Sequence, residues 1–163
     1  MPRRRRTLPR GSAHRRGWVI RHATSGNGLN WTVTSRPALQ LSQEWEAEVL
    51  VYPTVLKHRD LYLMWYGSYD EAIRRETTAM GFAVSRDGRL WTKSPHNPVL
   101  RPDPKRAWES NYVGSGSVLR LPDESFRYWY ASRKAPPFRN LYFAINTARW
   151  EGPPKNSPEK VQQ

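Results

Sequence analysis

The stretches WEAEVLVYPTV, at residues 45–55, and WESNYVGSGSV, at residues 108–118, decide the fold because the second repeats the first. Both open with Trp-Glu, and both reach a Val ten residues after that Trp. Self-similarity at a fixed spacing is the sequence signature of a repeat architecture. The chain therefore contains at least two copies of one structural unit.

Three further pairs of anchors recur in the same order around these stretches, 60 to 64 residues apart. They are LYLMWYG (61–67) with SFRYWYA (125–131), GFAVS (81–85) with YFAIN (142–146), and SGNGLNW (25–31) with SRDGRLW (85–91). The last pair indicates that part of a unit precedes the two fuller ones.

Each unit is predicted to consist of short strands. VLVYPTV is a β-branched run of strand length, LYLMWYG has the aromatics typical of half-buried strands, and Asp87-Gly88 is a hairpin turn. The 14 Pro and 10 Gly are scattered, and no long stretch has the period of a helix. Four strands per period are typical of propeller blades. We predict an all-β partial β-propeller of repeated four-stranded antiparallel blades, with a partial blade at 18–34 and blades at 45–92 and 108–150.

The charge is concentrated at one end of the chain. Of 163 residues with a net charge of +13, residues 1–22 include eight Arg and no acidic residue. We predict that residues 1–17 form a disordered Arg-rich leader and that residues 151–163 form a flexible tail. No apolar stretch follows the arginines as in a secretory signal, and none approaches the ~18 residues of a membrane span. The default compartment is therefore the cytoplasm.

The sequence offers no metal or cofactor motif. It has no Cys, and its four His are dispersed without metal-ligand spacing. No Gly-rich phosphate loop and no Ser nucleophile elbow is present. We expect neither a metal nor a cofactor.

The repeated unit resembles the blades of the five-bladed β-propeller glycoside hydrolases. The resemblance covers about residues 18–150 and is closest in MWYG (64–67), GFAVSRDGRLW (81–91) and NPVL (97–100). That superfamily includes families 43 and 32 and related glycoside phosphorylases. The resemblance implies a glycan or oligosaccharide partner and hydrolysis of an O-glycosyl bond.

The chain is short for such a propeller. Five blades of this period would need on the order of 300 residues, whereas this chain supplies two blades and half of a third. We therefore expect a fragment or a shortened member, with open blade edges that favour self-association.

One face of the blades is expected to carry the site. The connections between the second and third strands of a blade, and between successive blades, open on the same side, which we call the loop face. Its loops are the longer ones, and aromatic rings beside polar groups suit a sugar. The predicted substrate-binding residues on this face are Trp45, Glu46, Trp108, Glu109, Asn111 and Arg133.

Glycoside hydrolysis normally uses two carboxylates, and Glu48 and Asp70 are the candidate catalytic residues. Glu48 breaks the repeat, since Asn111 is its counterpart. Glu46 and Glu109 are equivalent in the two blades, which also fits a structural role. The resemblance implies an acid before the Pro of the innermost strand, but this chain has Tyr52 and Ser115 at those positions.

Three functions remain open at this point. The first is a carbohydrate-active propeller, a glycosidase-like protein or a truncated relative that acts on or binds glycans. The second is a non-catalytic sugar-binding or protein-interaction module. The third is an anionic-surface or nucleic-acid binder that uses the Arg-rich arm, although basic and acidic residues are mixed elsewhere, which makes nucleic acid the less favoured partner.

Overall fold

The computed structural model describes residues 17–69, 79–134 and 143–152. Within these ranges the chain forms nine β-strands and a single 3₁₀ turn at Ala107–Glu109. The strands are β1 (Ala23–Thr24), β2 (Thr32–Val33), β3 (Val49–His58), β4 (Leu61–Tyr69), β5 (Ala79–Ser85), β6 (Thr92–Lys93), β7 (Tyr112–Arg120), β8 (Phe126–Arg133) and β9 (Ala144–Trp150).

The strands form three antiparallel sheets in which spatial order follows chain order. The sheets are β1-β2, β3-β4-β5-β6 and β7-β8-β9. Sequential antiparallel strands of this kind are the meanders from which propeller blades are made. The all-β, partial-propeller fold predicted from the repeat is confirmed. The last sheet has three strands within the described residues, one fewer than the four predicted for each blade.

The first strand of each full blade carries a bulge at the same repeat position. The pairing of β3 with β4 shifts between Val51 and Thr54, and that of β7 with β8 shifts between Gly114 and Gly116. The residues inside the bulges, Tyr52 and Ser115, have positive φ values of 55° and 35°. This backbone conformation is uncommon for residues with a side chain. Because a β-bulge bends its strand and increases the local twist, the shared bulge is a feature of the repeat.

The turn between the third and fourth strands is fixed by its own side chains. The Ser85 hydroxyl accepts a hydrogen bond from the Gly88 amide at 2.9 Å, and Asp87 Oδ1 accepts from the amides of Arg89 and Leu90. Gly88 has a φ of 72°, and Trp91 Nε1 donates to its carbonyl at 3.0 Å. The preceding turn repeats these contacts with Ser25, Asn27, Gly28 and Trp31. Residues 23–33 are therefore the third and fourth strands of a blade.

Two apolar layers hold the sheets together. The first lies between the β1-β2 region and the middle sheet and includes Ile20, Leu39, Met64 and Tyr66. The second lies between the two larger sheets. Its buried members are Leu63, Trp65, Met80, Val113, Phe126, Tyr128 and Tyr130. The sheets therefore pack face to face, as successive blades do.

The first strands of the two full blades lie side by side. Thr54 Oγ1 in β3 donates a hydrogen bond to the Gly116 carbonyl in β7 at 2.6 Å. Arg59 and Glu124, in the turns that follow β3 and β7, form an ion pair at 2.9 Å. The two strands therefore run in the same direction and begin on the same face of the molecule, which is the loop face.

One sequence match was placed wrongly. In the middle blade Gly81 pairs with Tyr66. Tyr130 is the repeat counterpart of Tyr66, and it pairs with Asn146. Structurally, Gly81–Ser85 thus corresponds to residues 146–150 and not to 142–146. The aromatic Phe143 resembled Phe82 in type, but strand pairing, rather than residue type, sets the register.

The two predicted terminal segments fall largely outside the described residues. The leader does so over residues 1–16 and the tail over residues 153–163. Gly17 and Trp18, the first described residues, run beside the start of β3, where the Leu50 amide donates to the Trp18 carbonyl at 2.9 Å. No helix in the part of the chain that the structure describes is long and apolar enough to cross a membrane.

Candidate functional site

The loop face is formed by the beginnings of β3 and β7 and the ends of β4 and β8. The pairs Val49 with Tyr69 and Tyr112 with Arg133 mark this edge of the two sheets. Residues 70–78 and 135–142, which connect to the third strands, lie outside the described residues. The candidate catalytic residue Asp70 belongs to the first of these segments.

Glu46 lies under the loop face and is engaged by protein donors. Its carboxylate accepts hydrogen bonds from the Ser42 and Gln43 amides and from the Tyr66 hydroxyl, and it forms an ion pair with Lys93. Burial alone would raise the pKa of Glu46, but these hydrogen bonds outweigh it and hold the pKa below its ordinary value. A carboxylate in this state is an anchor for the chain between blades.

Glu109 has the same role in the next blade. The Tyr130 hydroxyl donates to Glu109 Oε2 at 2.6 Å, and Arg106 Nη1 contacts Oε1 at 2.9 Å. The side chain is nearly fully buried. The Glu–Tyr pair is therefore part of the repeat, which supports the structural interpretation of both carboxylates.

Trp45 is packed against the middle blade and lines a cavity. Its ring lies 5.7 Å from that of Tyr66, and its Nε1 donates to Gln43 Oε1 at 2.8 Å. An open cavity of about 790 Å³ adjoins it on the loop face. The lining residues are Ser42, Gln43, Glu44, Trp45, Ala79, Pro95, Asn97, Arg101 and Pro102. Trp45 thus lies in the wall of a largely polar cavity.

Trp108 occupies the same repeat position but is more open. Trp108 is 52% exposed, whereas Trp45 is partly buried. The Ser132 hydroxyl donates to the Trp108 carbonyl at 2.9 Å, which fixes the backbone below the ring. Trp108 is therefore a held aromatic surface that faces solvent.

An aromatic and basic cluster lies at the start of β7. The Arg133 guanidinium lies 5.5 Å from the centre of the Tyr112 ring and 5.4 Å from that of Phe143. Tyr112 hydrogen-bonds with the side chains of Tyr52 and Ser115, the two bulge residues. Burial and the hydrogen bond with Tyr52 raise the pKa of Tyr112, so its hydroxyl stays protonated.

Sequence reasoning identified part of this cluster. Arg133 was a candidate, and Tyr52 and Ser115 were noted at the position of the expected acid. Tyr112 and Phe143 were missed, although Tyr112 directly follows the candidate Asn111. The signal that would have found Tyr112 is its cross-strand pairing with Arg133.

Glu48 and Asn111 stand just before the first strands of their blades. Glu48 is exposed, and the backbone N–H of Asn111 donates to the Arg133 carbonyl at 3.1 Å. Asn111 is thereby joined to the Arg133 cluster, while the contacts known for the described residues do not join Glu48 to it. Within those residues, no group of three or more His, Asp or Glu side chains is placed to hold a metal.

Comparison with solved structures identifies the class of fold. A thermostable family-43 glycoside hydrolase superposes with a TM-score of 0.57 at 23% identity, over 72% of this chain and 39% of its own. Fructan 1-exohydrolase IIa from Cichorium intybus, in complex with 1-kestose, gives a TM-score of 0.61 at 19% identity, over 80% of this chain and 24% of its own. These likenesses confirm the resemblance to propeller glycoside hydrolases that the repeated motifs indicated.

A third similar structure comes from family 130 of mannoside phosphorylases, which contains glycoside hydrolases that target β-1,2 mannosidic linkages in Candida mannan. Its TM-score is 0.52 at 17% identity, over 88% of this chain and 40% of its own. The chain spans roughly a quarter to two fifths of the length of these structures. No protein-family model matches the chain, and no curated protein matches it. The likeness is therefore one of fold.

Proposed function

We propose that this chain is a carbohydrate-active propeller protein whose loop face binds a glycan. The observation that carries the proposal is Trp108, a half-exposed indole held at the beginning of a blade. A flat aromatic surface next to hydrogen-bonding groups is suited to the apolar face and hydroxyls of a sugar ring. The fold shared with glycoside hydrolases supports the same class of ligand, although fold alone does not fix function.

The neighbouring groups are suited to such a ligand. Asn111 supplies an amide side chain, and Arg133 and Tyr112 supply charged and phenolic donors on the adjacent strand pair. The cavity beside Trp45 adds polar side chains on the same face. Among similar structures, one described as an RGII complex has a TM-score of 0.59 at 20% identity.

The carboxylates favour binding over hydrolysis. The bulge positions, where the resemblance implies an acid, hold Tyr52 and Ser115. Glu46 and Glu109 are already bonded within their blades. A retaining or inverting mechanism needs one protonated and one ionised carboxyl across the scissile bond. The bulge positions Tyr52 and Ser115 and the bonded carboxylates Glu46 and Glu109 do not supply such a pair of carboxyls.

Hydrolysis is retained as a second candidate because of Glu48. This residue is exposed at the start of β3 and breaks the repeat, so the architecture of the blade does not explain it. Its partner would be Asp70, which follows the end of β4.

Binding is tested first with Trp108→Ala. Aryl arabinosides, xylosides, fructosides and mannosides, with matching oligosaccharides, are titrated against the chain by calorimetry. We expect the variant to weaken binding about tenfold, since an aromatic contact accounts for roughly 1 kcal/mol or more. The matched control is Trp31→Ala. Trp31 is 61% exposed, somewhat more than Trp108, and lies at the opposite ends of the strands, so its loss should leave the affinity per subunit unchanged.

Glu48→Gln then separates binding from hydrolysis. In a hydrolase, loss of a catalytic acid or base costs roughly 100-fold or more in turnover while sugar binding persists. In a binding protein the same change weakens affinity by about 1 kcal/mol, and wild type cleaves none of the aryl glycosides. If wild type neither binds nor cleaves any of these sugars, the proposed function is wrong.

A further inference from the structure

The two ends of the blade array expose positions that are buried inside it. In the middle blade Met80 pairs with Gly67, and in the last blade Ile145 pairs with Ala131. Since Ala131 is the repeat counterpart of Gly67, Ile145 is the counterpart of Met80. Met80 is completely buried between blades, whereas Ile145 is 71% exposed. Pairing likewise makes Leu119 and Trp129 the counterparts of Leu56 and Trp65, and Leu119 is 52% exposed. We call Leu119, Trp129 and Ile145 the terminal face.

The opposite end has the same property. Trp91 is partly buried against the first apolar layer, whereas its counterpart Trp31 is 61% exposed. Val33, at the position of Lys93, is 57% exposed. We call Trp31 and Val33 the leading face. Inside the array, the counterparts of the terminal face are covered by the following blade, and Trp91, the counterpart of Trp31, is covered by the preceding one. The group that fits both faces is therefore another blade of this kind.

The composition of the terminal face differs from that of the contact between the two full blades. Its apolar residues alternate with Arg127, Thr147 and Arg149, where the middle blade has Leu63, Phe82 and Val84. Arg149 forms ion pairs with Asp123 and Glu151 at the rim. Trp and Arg around an apolar centre are enriched at interfaces between proteins. The contact between the two full blades instead has apolar residues at these three positions, and its ion pair, Arg59 with Glu124, lies between the turns at its edge.

We propose that two copies of this chain associate head to tail, with the terminal face of each packed on the leading face of the other. Such a contact is heterologous, and two copies close it around one axis. Together they supply four full blades and two half-blades, within the four to eight blades usual for propellers. Contact between two terminal faces is disfavoured because it would bring Arg127 and Arg149 of both copies together.

The test is light scattering coupled to size-exclusion chromatography, from about 1 to 100 µM protein. Wild type is expected to be largely monomeric near 1 µM and a dimer at 100 µM. Ile145→Glu and Trp31→Glu should each raise the dimer Kd at least about tenfold, because each places a charge in both contacts. The matched control is Leu90→Glu, since Leu90 is 79% exposed in a turn and belongs to neither face. It should leave the dimer intact. Near-UV circular dichroism verifies that every variant is folded.

Mixing the two variants distinguishes the arrangement. A mixture of Trp31→Glu and Ile145→Glu retains one unaltered contact per pair, so we expect dimer to reappear. A monomeric wild type at 100 µM would overturn the proposal. Open-ended larger species, or a dimer that survives Ile145→Glu, would also overturn it. A dimer that Ile145→Glu breaks and Trp31→Glu does not break would overturn it as well, because that pattern means contact between two terminal faces.

Discussion

At the residue scale, two equivalent carboxylates differ in the cation that faces them. Lys93, the partner of Glu46, has a side chain that is only 9% exposed, whereas that of Arg106, the partner of Glu109, is 56% exposed. A buried charge that loses its partner keeps its desolvation penalty, whereas an exposed one is solvated by water. The two positions should therefore respond differently to the same substitution.

Glu46→Gln is expected to lower the free energy of unfolding by about 3 kcal/mol, because it leaves Lys93 buried and unpaired. Glu109→Gln is the control and should cost about 1 kcal/mol, since it preserves an acceptor for Tyr130 and frees only a solvated arginine. Urea denaturation at pH 7 measures both. Equal losses would contradict the assigned role of Lys93.

The cost of Glu46→Gln should also depend on pH. Because the pKa of Glu46 is lowered in the folded protein, its ionised form stabilises the fold above the unfolded pKa of about 4.3. That stabilisation is lost as pH falls through the lower folded pKa. The difference between wild type and Glu46→Gln should be full above pH ~5 and shrink below pH ~4. A difference that does not change between pH 3 and pH 7 would exclude this linkage.

At the scale of the element, β5 needs a glycine at position 81 because the side chains of Trp45 and Tyr66 approach the strand closely there. Gly81 pairs with Tyr66 in the middle of the blade, and Trp45 lies over it. A Cβ at this position would lie 2.6 Å from both Trp45 Cζ2 and Tyr66 Cζ. The absent side chain lets Trp45 pack onto the blade below the loop face.

Gly81→Ala is expected to lower the free energy of unfolding by about 1–3 kcal/mol through overpacking. Gly26→Ala is the matched control, because a Cβ there meets nothing within 4 Å, and its effect should stay within about 0.5 kcal/mol. Urea denaturation of both variants measures the difference. A neutral Gly81→Ala would mean that Trp45 moves away at little cost.

At the scale of the whole molecule, stability depends on sheets covering one another. Trp65 lies between two blades, with Phe82, Trp150 and Tyr128 at ring-centre distances of 5.2, 6.0 and 6.2 Å. Trp129 has the same place in its own blade, but no sheet among the described residues covers it. Sheets at the ends of a repeat array have fewer contacts than those inside it.

Trp65→Ala is expected to cost about 3–5 kcal/mol, the range for an aromatic ring removed from a core. Trp129→Ala should cost about 1 kcal/mol when measured at about 1 µM, below the range where association is expected to contribute. Denaturation followed by far-UV circular dichroism suits both variants. A Trp129→Ala loss as large as that of Trp65→Ala would show that the terminal face is already covered.

The local pattern of the chain was sufficient for much of the fold. Trp-Glu, Trp-Tyr and the Gly88 turn recur because each blade needs the same anchor, core ring and left-handed glycine, and these are short-range requirements that a sequence records. The third strand of the last blade was misplaced, because alternation along a strand is compatible with more than one register. Only pairing of Tyr130 with Asn146 decided it.

The sequence by itself determined that the chain is a repeat of antiparallel blades with an acid and a Trp at each blade entry. It could not determine the direction in which those acids point: Glu46 and Glu48 are two residues apart, yet one is buried with Lys93 and the other is exposed. The tertiary structure decided this, because two partners of Glu46, Tyr66 and Lys93, come from β4 and β6. It also decided that Ile145 and Trp31 are uncovered, since burial between blades depends on a neighbouring sheet and not on the residues of one strand.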